Sequence, residues 1–109
     1  MFGSEPATAA SYVAVGQVQW VRTHDAIAYP TWAPPRFWFT LTGVSKVGNC
    51  VALNGGNVLF VANDLQMLAL VVTAQTHGEQ IEVSGDDTNL VNTFCSVGHL
   101  TLGNPAPTF

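Results

Sequence analysis

Charged residues are scarce in this 109-residue chain, and their scarcity limits what the protein can do. Only 9% of its residues are Asp, Glu, Lys or Arg, whereas about 25% are charged in a typical soluble domain. Disorder is excluded, because disordered segments combine low hydrophobicity with many charges, and 48% of this chain is apolar. A soluble surface with so few charges is expected to be covered in part by copies of the same chain, so we predict a homo-oligomer. The alternative is a secreted monomer coated with uncharged polar residues.

Cations and long hydrophobic runs are fewer still. The formal net charge is −4, and the three cations are Arg22, Arg36 and Lys46. Nucleic-acid binding requires several phosphate-neutralising side chains on one face, which three scattered cations do not supply. The longest apolar stretch, 65–74, is interrupted by Gln66 and Thr73 and is much shorter than the roughly 20 residues that span a bilayer. We therefore predict no nucleic-acid partner and no membrane insertion.

The chain has two cysteines, Cys50 and Cys95, too far apart for a CxxC metal or redox motif. Each lies at the edge of a predicted strand, and the composition is typical of an extracellular protein, so we predict a disulfide. Two buried free thiols in a cytosolic protein are the alternative. The disulfide predicts a secreted or periplasmic protein. Its leader is expected to be absent from this chain, because residues 1–12 have neither the basic start nor the apolar run of a signal peptide.

Motifs for catalysis and for metal binding are also missing. His24, His77 and His99 have no metal-binding spacing. No nucleophile elbow surrounds Ser96, and the acidic stretch at 86–89 lacks the spacing of a calcium loop. We therefore predict a protein with no catalytic residues, no metal and no cofactor.

Alternating apolar residues, aromatic residues and turn signals divide the chain into short strands. The predicted strands 1, 2, 4 and 5 are 12–22, 37–42, 80–84 and 94–102, and Gly16 is predicted as a bulge in the first. The predicted strand 3 starts at 50–53 and resumes at 58–61 after the turn 54–57. Helical spacing predicts one helix over 64–77, with Asn63 as N-cap, Gln66 completing a capping box and Gly78 after its end. Apolar residues on two sides of this helix indicate that a neighbouring subunit covers it. We predict a flexible arm at 1–12, a single domain at 13–103 and a tail at 104–109.

The predicted order β-β-β-α-β-β is that of the OB fold, a five-stranded barrel that is mainly β with one helix. OB folds bind ligands over strands 2 and 3, between the strand 1–2 loop and the strand 4–5 loop. These loops correspond to 23–35 and 85–93 here. We therefore expect the two loops to converge over one groove.

The two loops carry side chains suited to a glycan. Aromatic rings stack on sugar rings or anchor a protein partner, carboxylates and amides bind hydroxyl groups, and a cation binds an acidic sugar. The predicted ligand-binding residues are Tyr29, Trp32, Arg36, Asp86, Asp87 and Asn89. The predicted partner is a glycan or a cell-surface glycoprotein; the alternative function is an exported protein-interaction module of OB fold with no sugar ligand. For single residues there is a simpler interpretation, in which Tyr29 and Trp32 fold back onto the barrel and the acidic pair only solvates a turn.

The chain resembles the binding subunits of pertussis-like and subtilase-type AB5 toxins and related small exported OB-fold proteins. The resemblance rests on the element order, on the cysteines on either side of the helix, and on the run NDLQMLALVVTAQTHGEQIEV at 63–83. The resemblance covers roughly residues 13–103. It implies a ring of five subunits whose helices face a central channel, an enzymatic subunit seated on the ring, and glycan recognition on the outside. The strand 1–2 loop, with its acidic and aromatic residues and three prolines, departs from the pattern of these toxins.

Overall fold

The computed structural model describes residues 11–103. The predicted tail at 104–109 and most of the predicted arm lie outside the described residues. The last two residues of that arm, Ser11 and Tyr12, belong to the first strand.

Five strands and one α-helix follow one another in the predicted order. They are β1 (Ser11–Arg22), β2 (Arg36–Leu41), β3 (Leu59–Asn63), α1 (Leu65–His77), β4 (Gln80–Val91) and β5 (Phe94–Leu102). Hydrogen bonding closes the sheet into a ring in the order β1-β2-β3-β5-β4, with β4 paired back to β1. Neighbours are antiparallel except β3 and β5, which are parallel over a short segment. The predicted mainly-β OB-type architecture is confirmed.

The interior of the ring is filled by alternate residues of the strands, as the period of two requires. Phe37, Phe39 and Phe60 are fully buried, and their rings stack with centroid distances of 5.9 Å and 5.6 Å. The outward residues of β2 are also buried: Trp38 is 7% exposed and Thr40 is 1% exposed. Other parts of the chain therefore cover the outer face of β2, and this covering shapes the candidate site.

The helix begins one residue later than the capping prediction placed it. Asn63 is not the N-cap, because it still belongs to β3, where it pairs with Arg36. Asp64 caps the helix instead, and its carboxylate accepts hydrogen bonds from the backbone N–H groups of Gln66 at 2.6 Å and Met67 at 3.3 Å. The predicted glycine at the other end is confirmed, since Gly78 has a φ of 66°. Within residues 11–103, no helix has the length and apolar content needed to cross a membrane.

Two further details of the strand predictions are wrong. The bulge in β1 lies between Val18 and Trp20, whereas Gly16 remains paired with β4. Residues 50–53 do not form the start of β3. A tight 3-10 turn at Leu53–Gly55 begins at the last of them, and a single isolated bridge, between Ala52 and Val58, pairs the two sides of this turn.

The predicted loop 85–93 is largely strand. β4 continues to Val91, and only Asn92 and Thr93 form the turn to β5. Residues 87–89 are accommodated as an irregularity between the pairs Asp86–Ser96 and Leu90–Cys95. Because Asp86 and Leu90 on either side of them pair with β5, residues 87–89 bulge out of the ladder within β4 and do not form a separate loop.

The predicted disulfide between Cys50 and Cys95 is confirmed, with the two Cα atoms 5.5 Å apart. It ties the segment before β3 to β5, at a position where Cys95 is fully buried. A structural disulfide indicates an oxidising, extracytoplasmic compartment.

Candidate functional site

The strand 1–2 loop and the β4–β5 hairpin do meet over strands β2 and β3, but their meeting place is filled. Buried Trp38, Leu59 and Val61 form an outer cluster there, with Trp32, Leu53, Val91 and Phe94 packed against it. Trp32 therefore folds back onto the sheet, as in the simpler interpretation of this residue. The groove that OB folds commonly use is occupied by the protein's own side chains.

Tyr29 lies further out on the same loop and is 56% exposed. The ring of His24 packs against it with a centroid distance of 5.1 Å, and His24 also lies 5.5 Å from the ring of Trp32. Tyr29 lines a cavity of about 320 Å³ together with Arg22 and the loop residues 23–25. The structure therefore places Tyr29 beside a surface cavity but away from the acidic residues of the hairpin.

Arg36, which directly follows the first predicted loop, and Asn89, from the second, line one small cavity, of about 180 Å³, between β3 and β5. The Nη1 group of Arg36 donates to the backbone oxygen of Thr31 at 2.6 Å. Of the six predicted ligand-binding residues, these two are the pair that the structure brings together across the loops.

The predicted acidic residues accept hydrogen bonds from the protein's own groups. Asp86 accepts hydrogen bonds from the Thr88 hydroxyl at 2.7 Å and the Thr88 backbone N–H at 2.9 Å. These bonds, the side-chain one foremost, hold the pKa of the Asp86 carboxyl below its ordinary value. Asp87 accepts from the Nδ2 of Asn49 at 3.3 Å. Neither carboxylate lines the cavity shared by Arg36 and Asn89.

A larger depression lies on the outer face of β1 and β2, around Trp20, which is 54% exposed. It consists of two adjoining cavities of about 280 Å³ and 440 Å³, and both are lined by Trp20, Leu53 and Asn54. We call these two cavities the Trp20 groove. Their combined volume exceeds that of the cavity beside Tyr29 and that of the cavity beside Arg36, and none of the six predicted ligand-binding residues lines them.

The bulge in β1 explains why two neighbouring residues line this groove. In a regular strand, successive side chains point to opposite faces. The register shift between Val18 and Trp20 removes that alternation at Gln19. Val18 is buried in the core, whereas both Gln19 and Trp20 line the first cavity of the groove.

Hydrogen bonds fix the side chain of Gln19. Its Oε1 accepts from the Thr40 hydroxyl at 3.0 Å and from the Nδ2 of Asn57 at 2.7 Å. Among residues 11–103, the Nε2 of Gln19 has no hydrogen-bond partner in the structure, although Gln19 lines the groove. The groove thus has an oriented amide with a donor available to a ligand.

The second cavity of the groove combines an aromatic ring with a cation. The guanidinium carbon of Arg22 lies 5.0 Å from the ring centroid of Trp38, a cation–π contact that restrains the arginine. Arg22 is exposed and forms no ion pair with any residue in the part of the chain that the structure describes. It is therefore a positioned cation with unused hydrogen-bond donors.

The prediction from sequence missed this groove because of the bulge. In the alternating pattern of β1, Val18, Trp20 and Arg22 share one face. Because Val18 is a core residue, that pattern predicts that Trp20 points inward as well. A glycine inside a strand often marks a bulge, but the glycine of this strand, Gly16, lies two positions before Val18. No signal in the sequence identifies Gln19 as the irregular position.

One further polar pair lies outside the groove. Glu82 is fully buried on β4, and its Oε1 is 3.2 Å from the Nε2 of His99, a partly exposed residue of β5. The Ser84 hydroxyl accepts a hydrogen bond from the backbone N–H of His99 at 2.8 Å and is almost fully buried. Across residues 11–103, no three His, Cys, Asp or Glu side chains are grouped so as to hold a metal ion. The absence of catalysis stays a prediction.

No protein-family model, curated protein or solved structure matches this chain. The resemblance to AB5 toxin binding subunits therefore stays a prediction. The observations that stand without it are the closed OB-type sheet, the disulfide and the Trp20 groove.

Proposed function

We propose that the protein is an exported, non-catalytic binding module and that it binds a sugar in the Trp20 groove. The observation that carries this proposal is Trp20 itself, a large aromatic residue that is more than half exposed and lines both cavities of the Trp20 groove. An exposed tryptophan offers a flat apolar face with a polar N–H at its edge. The face of a pyranose ring, where the C–H groups lie, is a matching surface.

The polar residues of the groove suit hydroxyl groups. A hydroxyl both donates and accepts hydrogen bonds, and so does a side-chain amide. Gln19, Asn54 and Asn57 place three such amides around the first cavity. Binding sites for small molecules are commonly recesses of about 300–1,000 Å³ with apolar walls and a few positioned polar groups. The second cavity, at about 440 Å³, falls in that range.

The proposal moves the sugar away from the loops that the sequence favours. Trp32 is packed against the outer cluster, and the cavity between Arg36 and Asn89 is small, at about 180 Å³. We also propose that the protein is located in the periplasm or outside the cell, and the disulfide supports this location.

A homo-oligomeric ring is a second part of the proposal. Leu65 and Val72 are 62% and 45% exposed on α1, and Ala69 lies between them on the same stripe. The opposite side of the helix packs on the core through Val71 and Ala74. Light scattering should give a multiple of 11.6 kDa, and a monomer at all concentrations would count against the ring. The enzymatic subunit implied by the toxin resemblance stays a prediction.

A glycan array with the purified protein, followed by binding measurements in solution, tests the sugar site. We expect Trp20→Ala to weaken binding at least about tenfold, because it removes the stacking surface, and Trp20→Phe to retain most of it. The matched control is Ile27→Ala, which truncates a side chain that is 91% exposed and lines none of the cavities.

The competing locations and functions give different results. If Arg36→Gln and Asn89→Ala abolish sugar binding while Trp20→Ala does not, the predicted loop site is correct and the groove is not. If no sugar binds and a protein is captured from culture fluid in a manner that depends on Trp20, the function is a protein-interaction module.

A further inference from the structure

We propose that the site takes a chain of at least three sugar rings rather than a single terminal ring, with Tyr29 stacking on the outermost ring. This inference rests on the proposed function, since it takes sugar binding at Trp20 as given. The observation behind it is a row of three cavities. The two cavities of the Trp20 groove share Trp20 in their linings, and the second cavity shares Arg22 with the cavity beside Tyr29.

Each cavity has its own means of holding a ring. The first, of about 280 Å³, has the oriented amide of Gln19 and the side chain of Asn57. The second, of about 440 Å³, lies between Trp20 and the nearly buried Trp38. The third, of about 320 Å³, has the exposed ring of Tyr29. Aromatic rings separated by polar groups suit a chain of sugars, whose rings alternate with bridging oxygens and hydroxyls.

Arg22 is the junction in this row. It lines both the second and the third cavity, and the ring of Trp38 restrains its guanidinium. A guanidinium has five N–H donors in a fixed plane and no acceptor. In this position it can donate to oxygens of two successive rings, so it favours a ligand that continues past the second cavity over one that ends there.

The loop around Tyr29 is organised before any ligand arrives. The carboxylate of Asp25 accepts hydrogen bonds from the N–H groups of Ile27 at 3.0 Å and Ala28 at 2.9 Å. The backbone N–H of Tyr29 donates to the backbone oxygen of Asp25 at 3.0 Å, and His24 packs against the tyrosine ring. A preorganised aromatic residue costs less conformational entropy when a ligand binds. Tyr29 is therefore suited to stabilise a third ring.

The experiment measures affinity against chain length. The probes are the strongest binder found on the glycan array and its fragments, from a single ring to the full chain, titrated by calorimetry against the wild type, Trp20→Ala, Tyr29→Ala and Ile27→Ala. For the wild type we expect affinity to rise by about tenfold or more between one ring and three rings. Tyr29→Ala should remove that gain and leave the single ring bound as in the wild type. Trp20→Ala should weaken every probe.

The results separate the two proposals. If a single ring binds as tightly as three, or if Tyr29→Ala behaves like Ile27→Ala with every probe, the extended site is wrong while sugar binding at Trp20 stands. If Trp20→Ala is silent, or if no sugar binds on the array, the proposed function itself fails and the extended site fails with it.

Discussion

Removing the Cys50–Cys95 disulfide should cost this domain a large part of its stability. The bond closes a loop with a sequence separation of 45, and the chain-entropy relation assigns about 4 kcal/mol to a loop of that length at 25 °C. Small domains have a total unfolding free energy of about 5–15 kcal/mol. The cross-link is therefore expected to supply a quarter or more of the total.

Three forms of the protein separate the cross-link from the packing of its sulfur atoms. They are the oxidised wild type, the wild type reduced with dithiothreitol, and the double variant Cys50→Ala/Cys95→Ala. Reduction breaks the cross-link and keeps both sulfurs, so it should lower the unfolding free energy by about 4 kcal/mol. The double variant also loses the fully buried Sγ of Cys95 and should lose on the order of 1 kcal/mol more. Guanidinium chloride unfolding, monitored by tryptophan fluorescence, measures all three.

A small effect would contradict this reasoning. If the reduced protein lost less than about 1 kcal/mol, the denatured chain would have to be as restricted without the cross-link as with it, and the loop-length argument would be wrong. If the reduced form and the double variant differed by more than the cross-link itself contributes, packing around Cys95 would be the main source of stability. Mass spectrometry before and after reduction confirms that the oxidised sample contains the bond.

Two further predictions concern the β4–β5 hairpin. Thr93 has a φ of 75° in the two-residue turn, a conformation that penalises a β-branched residue. Thr93→Gly should therefore stabilise the domain by about 1 kcal/mol, whereas Thr101→Gly within β5 should destabilise it. Chemical denaturation measures both changes. Thr88→Val removes the hydroxyl that lowers the Asp86 pKa most, so that pKa should rise toward its ordinary value in a carboxyl NMR titration. Because the folded-state pKa is depressed, the stability from Asp86 is present above its unfolded-state pKa and is lost as the pH falls through the folded value, and Thr88→Val should make this acid-side loss smaller. An unchanged Asp86 pKa in that variant would mean that the side-chain bond is not the main cause.

Sequence patterns predict most of the fold because its determinants are local and periodic. Alternation of apolar residues identifies β1, the aromatic and β-preferring residues of 37–42 identify β2, and the helical spacing followed by Gly78 identifies α1 almost to the residue. Two of the errors, at Asn63 and at 87–89, occur where pairing with another strand extends a strand past a local signal. The polar stretch 87–89 has the composition of a loop, yet it lies within β4 because Asp86 and Leu90 on either side of it pair with β5.

The candidate site was less predictable, because it depends on which aromatic side chains the fold covers. Trp32 and Trp20 are both tryptophans near the same sheet, and their local sequences do not indicate which one is exposed. The structure packs Trp32 against the outer cluster and leaves Trp20 more than half exposed. That outcome depends on contacts with Leu59 and Val61, residues far away along the chain.

The bulge at Gln19 connects these two results. Without it, regular alternation would place Gln19 and Trp20 on opposite faces of β1, and the amide held by Thr40 and Asn57 could not lie beside the indole ring. A bulge weakens strand pairing and is kept where it redirects a side chain. Here the redirected side chain is Trp20, which faces solvent. The other outward tryptophan of the sheet, Trp38, is nearly buried. The exposed part of Trp20 contributes no packing energy to the folded chain, whereas an aromatic face open to solvent is what the proposed sugar site requires.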